Sequence, residues 1–282
     1  MRTADANSAL PSRGDFVASL AAGLRVLAAF TADRPELGVG ELARMLEMDK
    51  RRTQRLVSTL YDLGYLEQDP QTRRYRPGVC VLTLGYAALQ SLDLRQLARP
   101  HLVALIEQFG QSVNLAVRHR AEVMFIDCLR GATYRLGVNV HIGDRLPIQL
   151  SSLGKAMLAY LPEQERAEVI GEIRFQATTE YAAASPGELQ EMLAQTRERG
   201  FAVMDQETTL GVRSVAAPLM SPDGYPVAAV NVVMPTPLVS MAEMTQTVAP
   251  ALVETAARIS QLLPAGAGNR HLTGPASAEL LG

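Results

Sequence analysis

Hydrophobic and polar positions in residues 40–77 follow first a helical and then an extended period. A short amphipathic helix is predicted at residues 40–46, and a second follows Asp49, a residue suited to an N-cap. The predicted buried stripe of the second helix is Thr53, Leu56, Val57, Leu60 and Leu63. Beyond Gly64, a plausible helix C-cap, residues 65–68 and 73–76 read as two strands joined by a turn at 69–72. This order of elements is that of a winged helix-turn-helix.

The second helix carries a cluster of cations. Such groups can contact phosphate oxygens or read base edges in a major groove. The side chains that we expect to contact DNA are Lys50, Arg51, Arg52, Thr53, Gln54, Arg55 and Ser58 in the helix, with Arg73 and Arg74 in the ribbon. A basic helix face alone is often only a solvated face. The brace helix before it and the arginine-rich ribbon after it favour nucleic-acid binding.

Two further helices are predicted around this unit. Residues 1–14 are polar and expected to be disordered. Residues 16–30 read as a helix whose buried side is Phe16, Leu20, Leu24, Leu27 and Phe30. Residues 79–97 carry an apolar seam that a solvated linker would not have, so they predict a connector helix that packs on a partner chain or on the next domain.

The remainder predicts an α+β domain with a central antiparallel sheet. Helices are expected at residues 101–109, 152–160, 162–171, 186–200 and 240–263. Strands are expected at residues 112–117, 122–127, 134–140, 201–204, 213–219 and 227–234. Residues 265–282 are rich in small residues and are expected to form a mobile tail. The expected divisions are therefore 15–78 for DNA binding, 79–98 for the connector and 99–264 for the last domain.

Charge and composition narrow the function. The 282-residue chain has a formal net charge of −2, but residues 1–80 carry +2 and the rest −4. Eight of the twelve cations among residues 1–80 lie between Arg44 and Arg76. Because the excess of positive charge is so small, we expect affinity for DNA to depend on base contacts and dimerisation more than on general attraction to phosphates. The chain has no apolar run that would span a membrane, and two cysteines cannot form a disulfide framework. The first twenty residues have no continuous apolar segment of the secretory type, so no leader is expected. We therefore expect a cytoplasmic protein with no membrane partner.

Catalytic and metal motifs are incomplete. The four histidines have no ligand spacing, so neither a metal nor a cofactor is expected. Gly154-Lys155 lacks the earlier glycine and the final hydroxyl of a phosphate loop. Ser152 and Lys155 match the S-x-x-K pair of penicillin-recognising enzymes, without the S-D-N or K-T-G elements that complete such a site.

The segment before residue 152 suits a binding site better. It runs into a predicted helix whose first turn has free backbone N–H groups and the positive end of the helix dipole. Ser214 and Asn231, on neighbouring predicted strands, could add polar groups to an otherwise apolar pocket. A ligand carboxylate is expected there, although these residues could also be ordinary turn and strand positions.

The chain resembles the IclR family of bacterial transcription regulators, from about residue 16 to residue 263. The motifs that carry the resemblance are residues 19–20, 23–27, 41–43, 55–65 and 75–78 in the first half, and 143–147, 151–156, 199–201 and 211–218 in the second. Their order and spacing carry the assignment together.

The resemblance implies a winged helix, a dimerising connector and an effector domain similar to GAF and PAS folds, assembled as a homodimer or dimer of dimers. It also implies that a small organic acid, often an aromatic or central-metabolic one, switches DNA binding, and we expect an aromatic acid here. The expected DNA partner is a double-stranded, pseudo-palindromic operator. The effector-binding positions carried over are Arg135, Val138, Leu146, Ser152, Leu153, Asp205, Ser214 and Asn231. The connector and the start of the effector domain resemble regulators of protocatechuate and hydroxybenzoate catabolism.

The sequence also departs from the family pattern. Ser214 stands where many members have Cys, which leaves the ligand open, and Glu47-Met48 replaces Gly-Leu in the reader turn. Arg51-Arg52 replaces the common Ser-Thr and predicts a different operator. We expect a transcription regulator without enzymatic activity. The alternatives are a ligand sensor acting through protein contacts and a Ser152/Lys155 hydrolase.

Overall fold

The computed structural model describes residues 16–31, 33–90, 93–131 and 140–264. The chain forms two compact units that divide between residues 91 and 92. Expectations for the first fourteen residues, for residues 265–282 and for most of the strand at 134–140 lie outside the described residues. None of the described helices is long and apolar enough to cross a membrane.

The first unit is a winged helix-turn-helix. Its elements are α1 Ala18–Ala28, α2 Val39–Met45, α3 Lys50–Asp62, β1 Leu66–Gln68, β2 Tyr75–Pro77 and α4 Val79–Gln90. Strands β1 and β2 pair antiparallel and form the wing. Two backbone hydrogen bonds between Leu37 and Tyr75 join the wing to the segment before α2. The core consists of Val26, Leu37, Leu42, Val57, Leu66 and Tyr75. The helices and strands predicted for residues 40–77 are therefore present in the predicted order.

Helix α1 buries a different face from the one expected. Its buried residues are Ala21, Ala22, Gly23 and Val26. Leu20 and Leu24 are 62% and 56% exposed. The small side chains on the buried face allow a neighbouring helix to pack closely against α1. The spacing of the leucines shows only that they share one face of the helix, and not whether that face is buried. In α3 the expected stripe is buried or half-buried except Leu63, which is 60% exposed because it is the C-cap residue.

The helix that follows the connector includes residues before its expected start. Helix α4 is described over Val79–Gln90 and α5 over Asp93–Phe109, which runs through Pro100, whereas a helix from residue 101 had been expected. The expected boundary at 98/99 therefore falls inside α5. Proline has no N–H and so removes one backbone hydrogen bond from a helix. Here the burial of Ala98, Leu102 and Leu105 in the core outweighs the loss of that hydrogen bond.

Within the described residues, the second unit is built on a six-stranded antiparallel sheet of order β5-β4-β3-β8-β7-β6. The strands are β3 Ser112–His119, β4 Glu122–Leu129, β5 Arg145–Pro147, β6 Ala202–Asp205, β7 Val212–Met220 and β8 Pro226–Pro235. Strand β5 was not expected. The α+β class with a central antiparallel sheet is confirmed.

Helices cover both faces of the sheet. Helix α5 packs on one face together with a C-terminal helical segment. The opposite face carries α6 Ser152–Tyr160, α7 Glu163–Glu172 and α8 Pro186–Arg199. Because strand side chains alternate, each strand contributes to two separate cores.

The C-terminal helical segment is not one regular helix. It consists of α9 Met241–Glu243, a π-helical stretch Met244–Val248 and α10 Ala249–Gln261. A single helix over residues 240–263 was expected. Pro250 has no N–H to donate and its ring would meet the carbonyl of the preceding turn, which the wider π turn accommodates.

A β-bulge interrupts the pairing of β3 with β4. Leu115 pairs with Asp127 and Ala116 with Phe125, so Ile126 is the extra residue. Phe125 packs on the α6 face, whereas Ile126 packs on the α5 face and Asp127 bonds to Arg99 of α5. The bulge thus turns two successive side chains toward α5.

Candidate functional site

The start of α3 is fixed by its own N-cap. Asp49 Oδ1 accepts backbone N–H bonds from Arg51 at 2.9 Å and Arg52 at 3.1 Å. Thr53 is fully buried, and its hydroxyl donates to the Asp49 carbonyl at 3.0 Å. The expectation that Thr53 contacts DNA is therefore wrong, because position 53 faces the core of the unit.

The other α3 positions expected to contact DNA reach the surface. Lys50, Arg51, Arg52, Gln54 and Arg55 are exposed, and Ser58 is half-buried. Ser58 Oγ accepts a bond from Gln54 Nε2 at 3.2 Å. Within the described parts of the chain, none of the four cations on this surface forms an ion pair. They are therefore available to an external anion.

The two wing arginines differ. Arg73 is exposed at a turn where its φ is +57°. Arg74 Nη2 lies 2.8 Å from Glu41 and donates to the Glu36 carbonyl at 2.9 Å. The Gly38 N–H, and after it Arg74, hold the pKa of the Glu41 carboxyl below its usual range. Arg74 therefore braces the wing against α2, contrary to its expected role as a DNA contact.

A cavity lies on the α6 face of the sheet, at the start of α6. It measures about 30 Å³, far below the roughly 150 Å³ of a cavity that binds benzene. Its described lining is Asn114, Phe125, Val140, Leu146, Ser151, Ser152, Met204, Thr208, Val212, Ser214, Asn231 and Val233. No charged side chain belongs to this described lining. Four expected effector positions are among these residues, namely Leu146, Ser152, Ser214 and Asn231.

The polar groups of the cavity are paired across elements. Ser152 Oγ and Ser214 Oγ lie 2.7 Å apart, and Asn114 Nδ2 donates to Asn231 Oδ1 at 3.0 Å. All four residues are buried. Asn114 and Asn231 are direct partners in the β3–β8 register, which brings together two residues that are 117 positions apart.

The first turn of α6 adds a positive electrostatic potential. Ser151 is its N-cap and makes no side-chain cap bond. The first N–H groups of a helix have no partner within it, and together with the helix dipole they favour a negative group nearby. A carboxylate at this end of the cavity would therefore be stabilised without a cationic side chain.

Two expected effector positions do not belong to the described lining of this cavity. Leu153 is fully buried in the core under α6, because its side chain points about a quarter turn away from that of Ser152. Asp205 alternates with the lining residue Met204 on β6 and instead accepts a bond from Arg213 Nε at 3.1 Å. Arg135 and Val138 lie outside the described residues.

Sequence reasoning missed Asn114, Phe125 and Thr208, which the fold adds to the cavity. Asn114 could have been found, because it is a polar residue on the Ala116 side of an otherwise apolar strand. Thr208 lies in the loop between β6 and β7, and no local pattern places it there.

The S-x-x-K pair is not a catalytic pair in the structure. Ser152 is bonded to Ser214, while the Lys155 ammonium lies 2.5 and 2.6 Å from the two carboxylate oxygens of Glu207. Both members of that ion pair are buried. A lysine bound in this way cannot take a proton from Ser152.

Comparison with known proteins places the chain in a family. Residues 19–70 match the IclR helix-turn-helix domain, and residues 86–261 match the bacterial transcriptional regulator IclR C-terminal domain. The Pca regulon regulatory protein of Pseudomonas putida is 32% identical over 241 residues, which are 85% of this chain and 81% of that protein.

Solved structures share the architecture. An IclR family transcriptional regulator from Brucella abortus has a TM-score of 0.79 at 31% identity, covering 92% of this chain and 97% of that chain. An IclR homologue from Microbacterium hydrocarbonoxydans, solved with 4-hydroxybenzoate, has a TM-score of 0.74 at 25% identity, covering 86% of this chain and 98% of that chain. The chain belongs to the IclR family of DNA-binding transcription regulators.

Proposed function

We propose that this regulator changes its affinity for operator DNA when a small organic acid occupies the cavity at the start of α6. The observation that carries the proposal is that cavity, in which paired hydroxyls and amides meet the N-terminal turn of a helix. A ligand moves the DNA equilibrium only by binding one state of the protein more tightly than another.

An aromatic acid is the ligand class that we propose. Phe125, Leu146 and Met204 supply apolar walls, and the start of α6 supplies N–H groups for a carboxylate. The Microbacterium homologue is described as a complex with 4-hydroxybenzoate, and the Pseudomonas relative is named for the Pca regulon. A ring does not fit into about 30 Å³, so binding must displace the lining.

The bulge in β4 gives such a displacement a route to α5. Phe125 lines the cavity, and two residues later Asp127 accepts bonds from Arg99 at 2.7 and 2.9 Å and lies 3.5 Å from Arg95. Both arginines belong to the first two turns of α5, which begins immediately after the division between the two units. We infer that movement of Phe125 is transmitted to the start of α5 through Asp127.

Operator recognition uses two copies of α3 in this proposal. Their half-sites in a pseudo-palindromic operator would be centred about 34 to 36 Å apart. The contacting side chains would be Lys50, Arg51, Arg52, Gln54, Arg55, Ser58 and Arg73.

A homodimer would bury the apolar surface left on the first unit. Val17, Leu20 and Leu24 form an exposed stripe on α1, and Val79 and Leu82 are 68% and 72% exposed on α4. Apolar groups gathered in this way mark protein contact surfaces. Replacing Leu20 and Leu24 by Lys should shift the protein toward monomer in sedimentation velocity. An unchanged assembly would remove α1 from the interface.

The test is a titration of promoter DNA taken from beside the gene, followed by fluorescence anisotropy at several salt concentrations. We expect affinity to fall steeply with salt, and 4-hydroxybenzoate to shift the curve. A shallow salt dependence would favour the alternative of a sensor that acts through protein contacts. An acyl adduct on Ser152, detected by mass spectrometry with a reactive acyl probe, would favour the hydrolase.

A further inference from the structure

The buried ion pair between Lys155 and Glu207 has no role in the function proposed above. The Lys155 side chain is 1% exposed and that of Glu207 6% exposed. Beyond Glu207, the ammonium has one weak neighbour among the described residues, Met192 Sδ at 4.0 Å. The pair therefore links α6 directly to the loop between β6 and β7.

Such a pair is a costly way to hold a fold together. Burial lowers the pKa of Lys155 and raises the pKa of Glu207, and the attraction between the two charges opposes both changes. Buried pairs often contribute no more stability than apolar residues of equal volume would. What the pair does provide is direction, because both carboxylate oxygens face one ammonium.

Residues 206–211, the loop that Glu207 belongs to, are held at several points. The Glu207 carbonyl accepts a bond from Thr178 Oγ1 at 2.6 Å, and Gln206 has a φ of +62°. Thr208, the next residue, donates from its hydroxyl to the Leu150 carbonyl at 2.8 Å. Thr208 also lines the cavity at the start of α6. Fixing Glu207 therefore fixes one part of the cavity lining.

We propose that Lys155 and Glu207 are positioning residues for effector binding, which together hold Thr208 and its loop against the cavity. Ser152 and Lys155, three positions apart on α6, then serve one site in two ways. Ser152 lines the cavity and Lys155 orients the loop beside it. This inference rests on the proposal that the cavity binds the effector.

Direct contact of Lys155 with the ligand carboxylate is a weaker explanation. Lys155 does not belong to the described lining of the cavity. Both oxygens of Glu207 already occupy the ammonium, so a ligand would have to displace an internal carboxylate.

The experiment compares wild type with Lys155→Met and Glu207→Gln in the full-length protein. Amide hydrogen exchange of residues 206–211 in the absence of effector should become about tenfold faster or more, while exchange in α10 stays unchanged. Calorimetric affinity for 4-hydroxybenzoate should weaken by about tenfold. Glu165→Gln is the matched control, because it disrupts the Arg118–Glu165 pair elsewhere in the same unit and should alter neither readout.

A double variant guards against unfolding of the single ones. Lys155→Met with Glu207→Leu leaves no unpaired buried charge, so it should fold, yet it should still bind the acid about tenfold more weakly because the directed bonds are gone. Unchanged loop exchange, or wild-type affinity in the double variant, would overturn the inference. If wild type does not bind the acid, the proposed ligand class fails, and the exchange measurement alone decides the role of the pair.

Discussion

Helix α3 of the first unit and the sheet region of the second use their cations in opposite ways. On α3, Lys50 and Arg55 are exposed and have no ion-pair partner in the described structure. In the second unit, Arg99, Lys155 and Arg213 are each paired with a carboxylate of the same unit. The first arrangement leaves positive charge for an external polyanion. The second places three cations in internal ion pairs, and the described lining of the cavity at the start of α6 offers hydroxyls and amides instead.

The strongest way to break this comparison is to remove a cation from α3. Arg55→Ala should weaken operator binding by about 10- to 100-fold, because a bidentate contact to a base is lost. Promoter footprinting with a parallel thermal melt measures the change and checks the fold. Arg258→Ala removes an exposed cation of the second unit that is paired with Glu254, and it should leave binding unchanged. Equal losses in both variants would mean that only net charge matters.

The next effect concerns the cavity at the start of α6, whose described lining has no charged side chain. Ser214→Leu places an apolar side chain where two hydroxyls meet, and it should weaken binding of 4-hydroxybenzoate about tenfold or more while operator binding persists. Calorimetry and anisotropy measure the two affinities. Ser185→Ala, which removes the N-cap bond of α8, should cost about 1 kcal/mol of stability and leave acid binding intact. A retained response in Ser214→Leu would move the effector site elsewhere.

A smaller effect is expected at the proposed link between the cavity and α5. Typical coupling between two sites changes affinity about 5- to 150-fold. Arg99→Ala should bring that factor toward one. The affinity for the acid alone and the affinity for the operator alone should each change much less. The ratio of operator affinities with and without acid gives the coupling. Arg118→Ala, which removes an ion pair on the α7 side, should preserve the ratio, and a similar loss there would make the Arg99 result nonspecific.

The smallest expected effect concerns the thiol of Cys128, which the second unit keeps in its uncharged form. Burial, followed by the neighbouring carboxylate of Asp127, raises the pKa of Cys128 to about 12. Because the thiol stays protonated, roughly one molecule in ten thousand carries a thiolate at pH 8. Iodoacetamide should leave Cys128 unmodified in the folded protein and modify it in urea, as peptide mass spectrometry would report. Rapid labelling of folded protein would show that the site is open.

The first unit was largely predictable because its signals are local. Asp49 caps α3 as expected, and Val57 lies in the predicted stripe. Which face of α1 is buried was not predictable, because Leu20 and Ala21 offer competing stripes and only the packing of three helices decides between them. The helix was expected to start only after Pro100, but tertiary packing tolerates the backbone hydrogen bond that this proline removes. The single helix expected over residues 240–263 took no account of Pro250, which a π-helical turn accommodates.

The lining of the cavity at the start of α6 was predictable only in part. Ser152, Ser214 and Asn231 came from the helix start, the strand pattern and the family resemblance. Asn114 interrupts the apolar run of β3 and could have been suspected, whereas Thr208 lies in a loop and nothing near it in the sequence identifies it as a lining residue. Lys155 and Glu207 are 52 positions apart, and periodicity carries no information at that range.

The central position of β3 and β8 in the sheet also bears on how the protein matures. Strand β3 cannot complete its pairing until residues 226–235 have left the ribosome, because β8 is its neighbour on one side. Strand pairings between residues so distant in sequence are slow to form. The winged helix-turn-helix, in contrast, needs only contacts among residues that precede residue 78. During synthesis, the segment that recognises DNA therefore has a structure available well before the chain can respond to a metabolite.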